Sequence, residues 1–109
     1  MTGAASGNER LDTLREMVAD DPDDLLARLL LGRELLAAHD ARGAVEHLGL
    51  YVARFVGDKG AACGAYAEAL HRLGRADEAK AALAAGIENA RAHRHLGLVA
   101  QLEAQRDDL

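Results

Sequence analysis

The feature that constrains this chain most is a leucine-rich stretch from Asp24 to Asp40, DLLARLLLGRELLAAHD. Its seven leucines have helical spacing, but they lie on two faces instead of the single apolar stripe of an ordinary amphipathic helix. The two faces are Leu31, Leu35 and Ala38, and Leu25, Leu29 and Leu36. Because a helix that is apolar on several sides must be covered on several sides, we expect neighbouring segments to pack around it.

Composition predicts that the rest of the chain is helical as well. At 109 residues the chain fits one domain, and only 3% of its residues are aromatic, so leucine, alanine and valine must build the core. Leucine and alanine are strong helix formers, and a single proline, Pro22, interrupts the sequence. We therefore predict an all-α protein.

Charge and hydropathy exclude several functional classes. The net charge is -5, and no basic stripe interleaved with aromatic residues is present, so we expect no nucleic-acid partner. No apolar run approaches the roughly 18 residues of a membrane span, and the first ten residues lack an apolar signal core. One cysteine, Cys63, cannot form an internal disulfide. We predict a cytoplasmic protein without membrane association.

Turn signals divide the chain into five or six helices. After a flexible tail at residues 1–7, the first four helices are expected at about 8–19, 24–38, 41–55 and 61–73, with a turn at 57–60. Gly74 has the residue type that favours a helix C-terminus. A fifth helix begins near Ala76 and breaks at about 93–95. A sixth helix carries Leu96, Val99 and Leu102.

An acidic run, Asp20-Asp21-Pro22-Asp23-Asp24, separates the first two helices. The run lacks the central glycine and distal glutamate of a calcium loop. Pro22 disfavours helical backbone at the residue before it, and Asp23 or Asp24 can cap the helix that follows. We therefore interpret the run as a helix boundary.

Two segments repeat at an offset of 35 residues. The first reads Leu31-Gly32-x2-Leu35 followed by Ala44-x3-Leu48, and the second reads Tyr66-Ala67-x2-Leu70 followed by Ala79-x3-Leu83. This pattern resembles the tetratricopeptide repeat family, whose units of about 34 residues pair two helices. The chain departs from the family pattern where Arg28 and Cys63 replace an aromatic residue and where Val56 replaces proline.

The resemblance implies a right-handed superhelical stack of antiparallel helix hairpins, with about two and a half repeats. The units would be a half repeat at 8–22, full repeats at 24–57 and 60–91, and a C-terminal capping helix at 94–106. In that cap, Leu96, Val99 and Leu102 would cover the fourth and fifth helices, whereas Glu103 and Gln105 would face water.

The resemblance also implies a function, because the first helices of tetratricopeptide units line a concave groove that takes a peptide or a helix. Carried over residue by residue, the groove would include Leu26, Leu29, Arg33, Leu36, Ala37, Ala61, Gly64, Glu68, His71 and Arg72. We expect the leucines among these residues to supply affinity for a protein or peptide partner. Arg33, Glu68, His71 and Arg72 would set polarity and register. The lysine–asparagine carboxylate clamp of some members is unsupported, since Leu29 and Arg33 occupy the corresponding positions.

Two alternatives for the leucine surface stay open. Leu26, Leu29 and Leu36 could be core residues covered within the chain, or they could join two copies in a structural homodimer. An exposed apolar patch of a few hundred Å² would favour a partner, whether a second copy or another protein.

A small metal or thiol enzyme is the competing functional class. Four convergent ligands are usual in a structural zinc site, whereas this chain has one cysteine, and His93 and His95 point to different sides of a helix. Cys63 lies in a stretch rich in alanine and glycine, which predicts a buried structural residue rather than a nucleophile. We therefore predict no catalytic residue, no metal and no cofactor.

Overall fold

A computed structural model of the protein describes residues 2–55 and 60–109, with side chains from residue 9 onward. In this part of the chain, six helices and no strands are present, which confirms the all-α prediction. The helices are α1 (Thr2–Asp20), α2 (Leu25–Ala37), α3 (Ala41–Arg54), α4 (Cys63–Arg72), α5 (Ala76–Ala92) and α6 (Leu96–Asp107). Each helix packs against the next along the chain, and α2 also contacts α4.

Three helices end in the same way, and all three ends lie where the sequence predicts breaks. The last turns of α2, α4 and α5 are followed by left-handed residues, His39 (φ 66), Gly74 (φ 75) and Arg94 (φ 58). In each case the next amide donates to the carbonyl five residues earlier: Asp40 to Leu35 (2.8 Å), Arg75 to Leu70 (2.9 Å) and His95 to Ala90 (2.8 Å). These are Schellman motifs, which satisfy helix carbonyls that would otherwise lack donors.

Two predicted boundaries differ from the structure. Helix α1 begins at Thr2 rather than at Asn8, in a run that contains two alanines and no proline to stop the helix. Helix α4 begins at Cys63 rather than at Ala61. The expected turn at 57–59 and the departure at residue 56 lie outside the described residues. The predicted flexibility of residues 1–7 stays a prediction.

Of the two aspartates predicted as caps of α2, Asp24 is the one that caps it. Its carboxylate accepts a hydrogen bond from the amide of Ala27 at 3.0 Å, and Asp40 caps α3 in the same way through the amide of Gly43 at 2.9 Å. Each cap satisfies one amide of the first helical turn. The acidic run therefore supplies a helix cap.

Buried positions recur at the 35-residue offset found in the sequence. Both members of each of five pairs are buried: Ala27 and Ala62, Gly32 and Ala67, Leu35 and Leu70, Ala44 and Ala79, and Leu48 and Leu83. Leu48 and Leu83 are 0% exposed and lie in two separate core clusters, one for each half of the chain. The two helix pairs α2–α3 and α4–α5 therefore bury equivalent residues.

Helices α2 and α3 are in close contact at Gly32. A Cβ atom at this position would lie 2.6 Å from Cγ of Leu48 and 3.3 Å from its backbone nitrogen. Ordinary contacts between carbon atoms are longer than 2.6 Å, so the two helices can lie this close only because glycine has no side chain. The equivalent residue of the second pair is Ala67.

His47 on α3 contacts α2 and has a perturbed pKa. Burial lowers the pKa of this imidazole below its ordinary value of 6.5, Arg28 and Arg15 lower it further, and Glu46 and Asp40 oppose the shift. Nη1 of Arg28 lies 3.1 Å from Nδ1 of His47. Because a guanidinium can only donate, Nδ1 is the acceptor and the ring is neutral in this contact.

We expect His47 to make stability depend on pH below 6.5. Since its pKa is lower in the folded state, the unfolded chain binds the proton first, and stability falls as pH drops below the unfolded value. Denaturant titrations at a series of pH values from about 7.5 to 5.5 should show a smaller decline in the His47→Gln variant than in the parent protein. Equal declines in the two proteins would contradict this assignment.

Candidate functional site

A groove of about 520 Å³ lies between α4 and α6. Its α4 wall is formed by Ala61, just before the helix, and then by Gly64, Ala65, Glu68 and His71. Residues three and four apart share one helix face, so this wall is one continuous stripe. The three small residues bring the groove close to the α4 backbone, whereas Glu68 and His71 place polar groups at the other end.

The α6 wall has the same residue spacing as the α4 wall. It consists of Leu98, Gln101, Leu102 and Gln105, and Asp108 continues the stripe just beyond the helix. Each member lies 37 residues after its counterpart on the α4 side. Two helices therefore present equivalent faces to one groove, and Arg33 from α2 and Leu109 complete its lining.

A hydrogen bond connects the two walls. Nε2 of Gln105 donates to the backbone carbonyl of Gly64 at 2.8 Å. A Cβ atom at residue 64 would lie 3.0 Å from Oε1 of the same glutamine, so the glycine lets the amide approach. The prediction that Gln105 faces water is wrong, because its half-buried side chain bridges α6 to α4.

Three of the predicted binding residues lie in this groove. Arg33, Glu68 and His71 all line it, and each is exposed. Arg33 has no hydrogen-bond or ion-pair partner among the described side chains. Glu68, by contrast, pairs with Arg72 one turn further along α4.

The three predicted leucines do not line the groove, and the structure separates them. Leu36 is 8% exposed and belongs to the core, and Leu29 is half-buried against the same core cluster. Leu26 is 62% exposed. Burial within the chain is therefore correct for Leu36 and partly correct for Leu29, whereas Leu26 presents its side chain to solvent.

Arg72 connects helices instead of lining the groove. Its Nη1 donates to the carbonyl of Leu36 at 3.2 Å, and its Nη2 pairs with Glu68. The carbonyl belongs to the last turn of α2, where a cation also interacts favourably with the helix dipole. Arg72 therefore joins α4 to α2, and its predicted role in the register of a bound partner stays a prediction.

The α6 wall was missed by sequence reasoning. Helix α6 was interpreted as a cap through Leu96, Val99 and Leu102, and Val99 and Leu102 are indeed buried. Leu96 is 72% exposed, because it is the first residue of α6, at the connection to α5. The sequence does contain a signal for this wall. The lining residues of α6 lie 37 positions after those of α4, and this equal spacing indicates that both helices line one surface.

Among the described residues, no group of three or more His, Cys, Asp or Glu side chains is placed to hold a metal ion. Cys63 is buried against α5, where a Cβ atom at Gly86 would lie 2.7 Å from Cβ of the cysteine. Across residues 2–55 and 60–109, none of the helices combines the length and apolarity needed to span a bilayer.

Comparison with known proteins gives no relative. No family model, no curated protein and no solved structure matches the chain. A function must therefore be inferred from the residues of the chain itself.

Proposed function

We propose that this protein is a non-catalytic interaction module of tetratricopeptide type, which binds a peptide segment of a protein partner in the groove between α4 and α6. In this proposal the helix pairs form a right-handed superhelical stack, and α6 takes the place of the first helix of a further unit. Two observations support the repeat. Buried positions recur at an offset of 35 residues, and α2 and α4 both end in a Schellman motif.

The observation that carries the proposal is the matched pair of walls. Two stripes of equal spacing face one groove, whose 520 Å³ falls within the roughly 300–1,000 Å³ of ligand sites. Ala61 and Ala65 on the α4 wall are small and leave room for a peptide beside the bridge from Gln105 to Gly64. Gln101 offers its side-chain amide to the peptide backbone, and Leu98 offers apolar surface.

Specificity would come from the charged end of the groove. Arg33 has no partner among the described side chains, so it is available to an acidic group of the peptide. His71 also lines the groove, as do the carboxylates of Glu68 and Asp108. Affinity would come from the groove instead of from the three leucines. The partner and the protein would both be cytoplasmic, in accord with the sequence expectation.

Peptide selection tests this function. A phage library of random peptides is screened against the immobilised protein, and selected peptides are measured by fluorescence polarisation. We expect Gln101→Trp, which fills the groove from α6, to weaken binding at least about tenfold. Ala84→Trp adds the same exposed side chain to α5, outside the groove, and should leave binding unchanged.

Two results would contradict the proposal. One is a selection that enriches no peptide over the bare support. The other is a set of peptides whose affinity falls equally in the two tryptophan variants. Far-UV circular dichroism of both variants shows that the comparison is between folded proteins.

A further inference from the structure

Three exposed residues of α2, Leu26, Leu30 and Arg33, have helical spacing outside its buried face, and the exposed Asp23 lies in the turn just before the helix. These four residues are called the stripe. Leu26 is 62% exposed and Leu30 is 42% exposed, although both are large apolar side chains of the kind that the rest of the chain buries in its core. The carboxylate of Asp23 is 92% exposed and lies 4.0 Å from Arg54, at the limit of an ion pair.

The order of this stripe is self-complementary. The spacings between its members are three, four and three residues, so they read the same in both directions. Residue 28 lies midway between the two leucines and midway between the two charged residues. An acidic end, an apolar centre and a basic end are thus arranged about one point.

From this arrangement we infer that a second copy of the chain docks on the stripe, with the two α2 helices antiparallel about a twofold axis near residue 28. In this arrangement Leu26 of each copy meets Leu30 of the other. Asp23 of each copy meets Arg33 of the other. A twofold contact requires such self-complementarity of one patch.

The surroundings of the axis permit the contact. Arg28, the residue nearest the axis, is directed away from the stripe, because it donates to the carbonyl of Pro22 and contacts His47 on α3. Arg28 is thus kept off the axis. Met17 of α1, one turn before the α1–α2 connection, is a further large apolar side chain that is 41% exposed. Arg10 and Glu34 line a pocket with Leu30, and they pair with each other at 3.4 Å.

The size of the face sets the strength of the dimer. Thirteen residues of α2 span about 20 Å, and the face is one or two helices wide. Its total buried area therefore stays below about 1,200 Å², in the class of weak and transient interfaces. We expect a dimer that forms at tens to hundreds of micromolar protein, on the order of such interfaces.

Charge exchange tests the inference. The twofold dimer has two equivalent contacts between residues 23 and 33. In a dimer of Asp23→Arg, each contact brings a new guanidinium opposite Arg33. In a dimer of Arg33→Asp, each contact brings two carboxylates together. Sedimentation velocity from about 5 to 500 µM should show dimerisation of the parent, and each variant alone should be weakened about tenfold or more. An equimolar mixture of the two variants should recover association. In a dimer of one copy of each, the two arginines of one copy lie at opposite ends of its stripe, and each meets an aspartate of the other copy.

Controls separate this contact from general charge effects. Asp107→Arg and Lys80→Asp change the charge by the same amounts at exposed sites on other helices, and neither the single variants nor their mixture should change dimerisation. A parent protein that stays at the 11.6 kDa monomer mass up to the highest concentration would overturn the inference. So would a mixture that fails to recover association. The peptide test above uses neither Asp23 nor Arg33, so the two proposals can fail separately.

Discussion

The Leu48→Ala variant is expected to lose about 3 kcal/mol of unfolding free energy, within the range of about 2–5 kcal/mol found for buried leucines. Leu48 is 0% exposed and lies in the core cluster that joins α1, α2 and α3. Truncation removes its apolar contacts and leaves a cavity that close-packed neighbours fill only in part. A loss of this size is a large fraction of the stability of a small domain.

Leu26→Ala is the matched control, because it deletes the same atoms from a side chain that is 62% exposed. We expect a loss below about 1 kcal/mol, since little apolar surface returns to water. Denaturant unfolding at low micromolar protein, followed by circular dichroism, measures both values below the concentration of the proposed dimer. Similar losses in the two variants would contradict the placement of Leu48 in the core.

Gly32→Ala should lower the unfolding free energy by about 1–2 kcal/mol, although alanine favours helix over glycine by about 1 kcal/mol. The new Cβ atom would lie 2.6 Å from Cγ of Leu48, so α2 and α3 must separate or Leu48 must leave its rotamer. Gly97→Ala is the control in the first turn of α6, where nothing lies within 4 Å of the new atom. That variant should keep the unfolding free energy or raise it by less than about 1 kcal/mol.

The double variant Gly32→Ala, Leu48→Ala distinguishes a steric effect from a general weakening of α2. Removing the leucine side chain leaves space for the new methyl group, so the double variant should lose less stability than the two single losses together. Interaction energies of about 0.5–3 kcal/mol are usual for residues in contact. Strict additivity would show that the clash at Gly32 does not involve Leu48.

Much of the fold could be predicted from the sequence because it depends on local signals. The breaks at His39, Gly74 and the 93–95 segment lie where helices end, and Asp24 caps α2 as expected. The 35-residue offset predicted which positions share an environment, and Leu35 and Leu70 are both buried. Such features are set within a few residues of the chain or by a repeated pattern.

The surface of α2 could not be predicted in the same way. Leu26 and Leu36 looked equivalent in the sequence, yet one is exposed and the other lies in the core. The difference depends on where α1, α3 and α4 cross α2, which is a matter of tertiary packing. The role of Gln105 was missed for the same reason, because its partner is the backbone of Gly64, 41 residues away.

The most direct test of the groove as a binding site is nuclear magnetic resonance of labelled protein titrated with the tightest selected peptide. Amide shifts should change most on the facing walls, at Gly64 and Ala65 of α4 and at Gln101 and Gln105 of α6. Residues on the exposed side of α5, such as Lys80, should change little. Changes confined to α3 and α5, with both walls unaffected, would contradict the account.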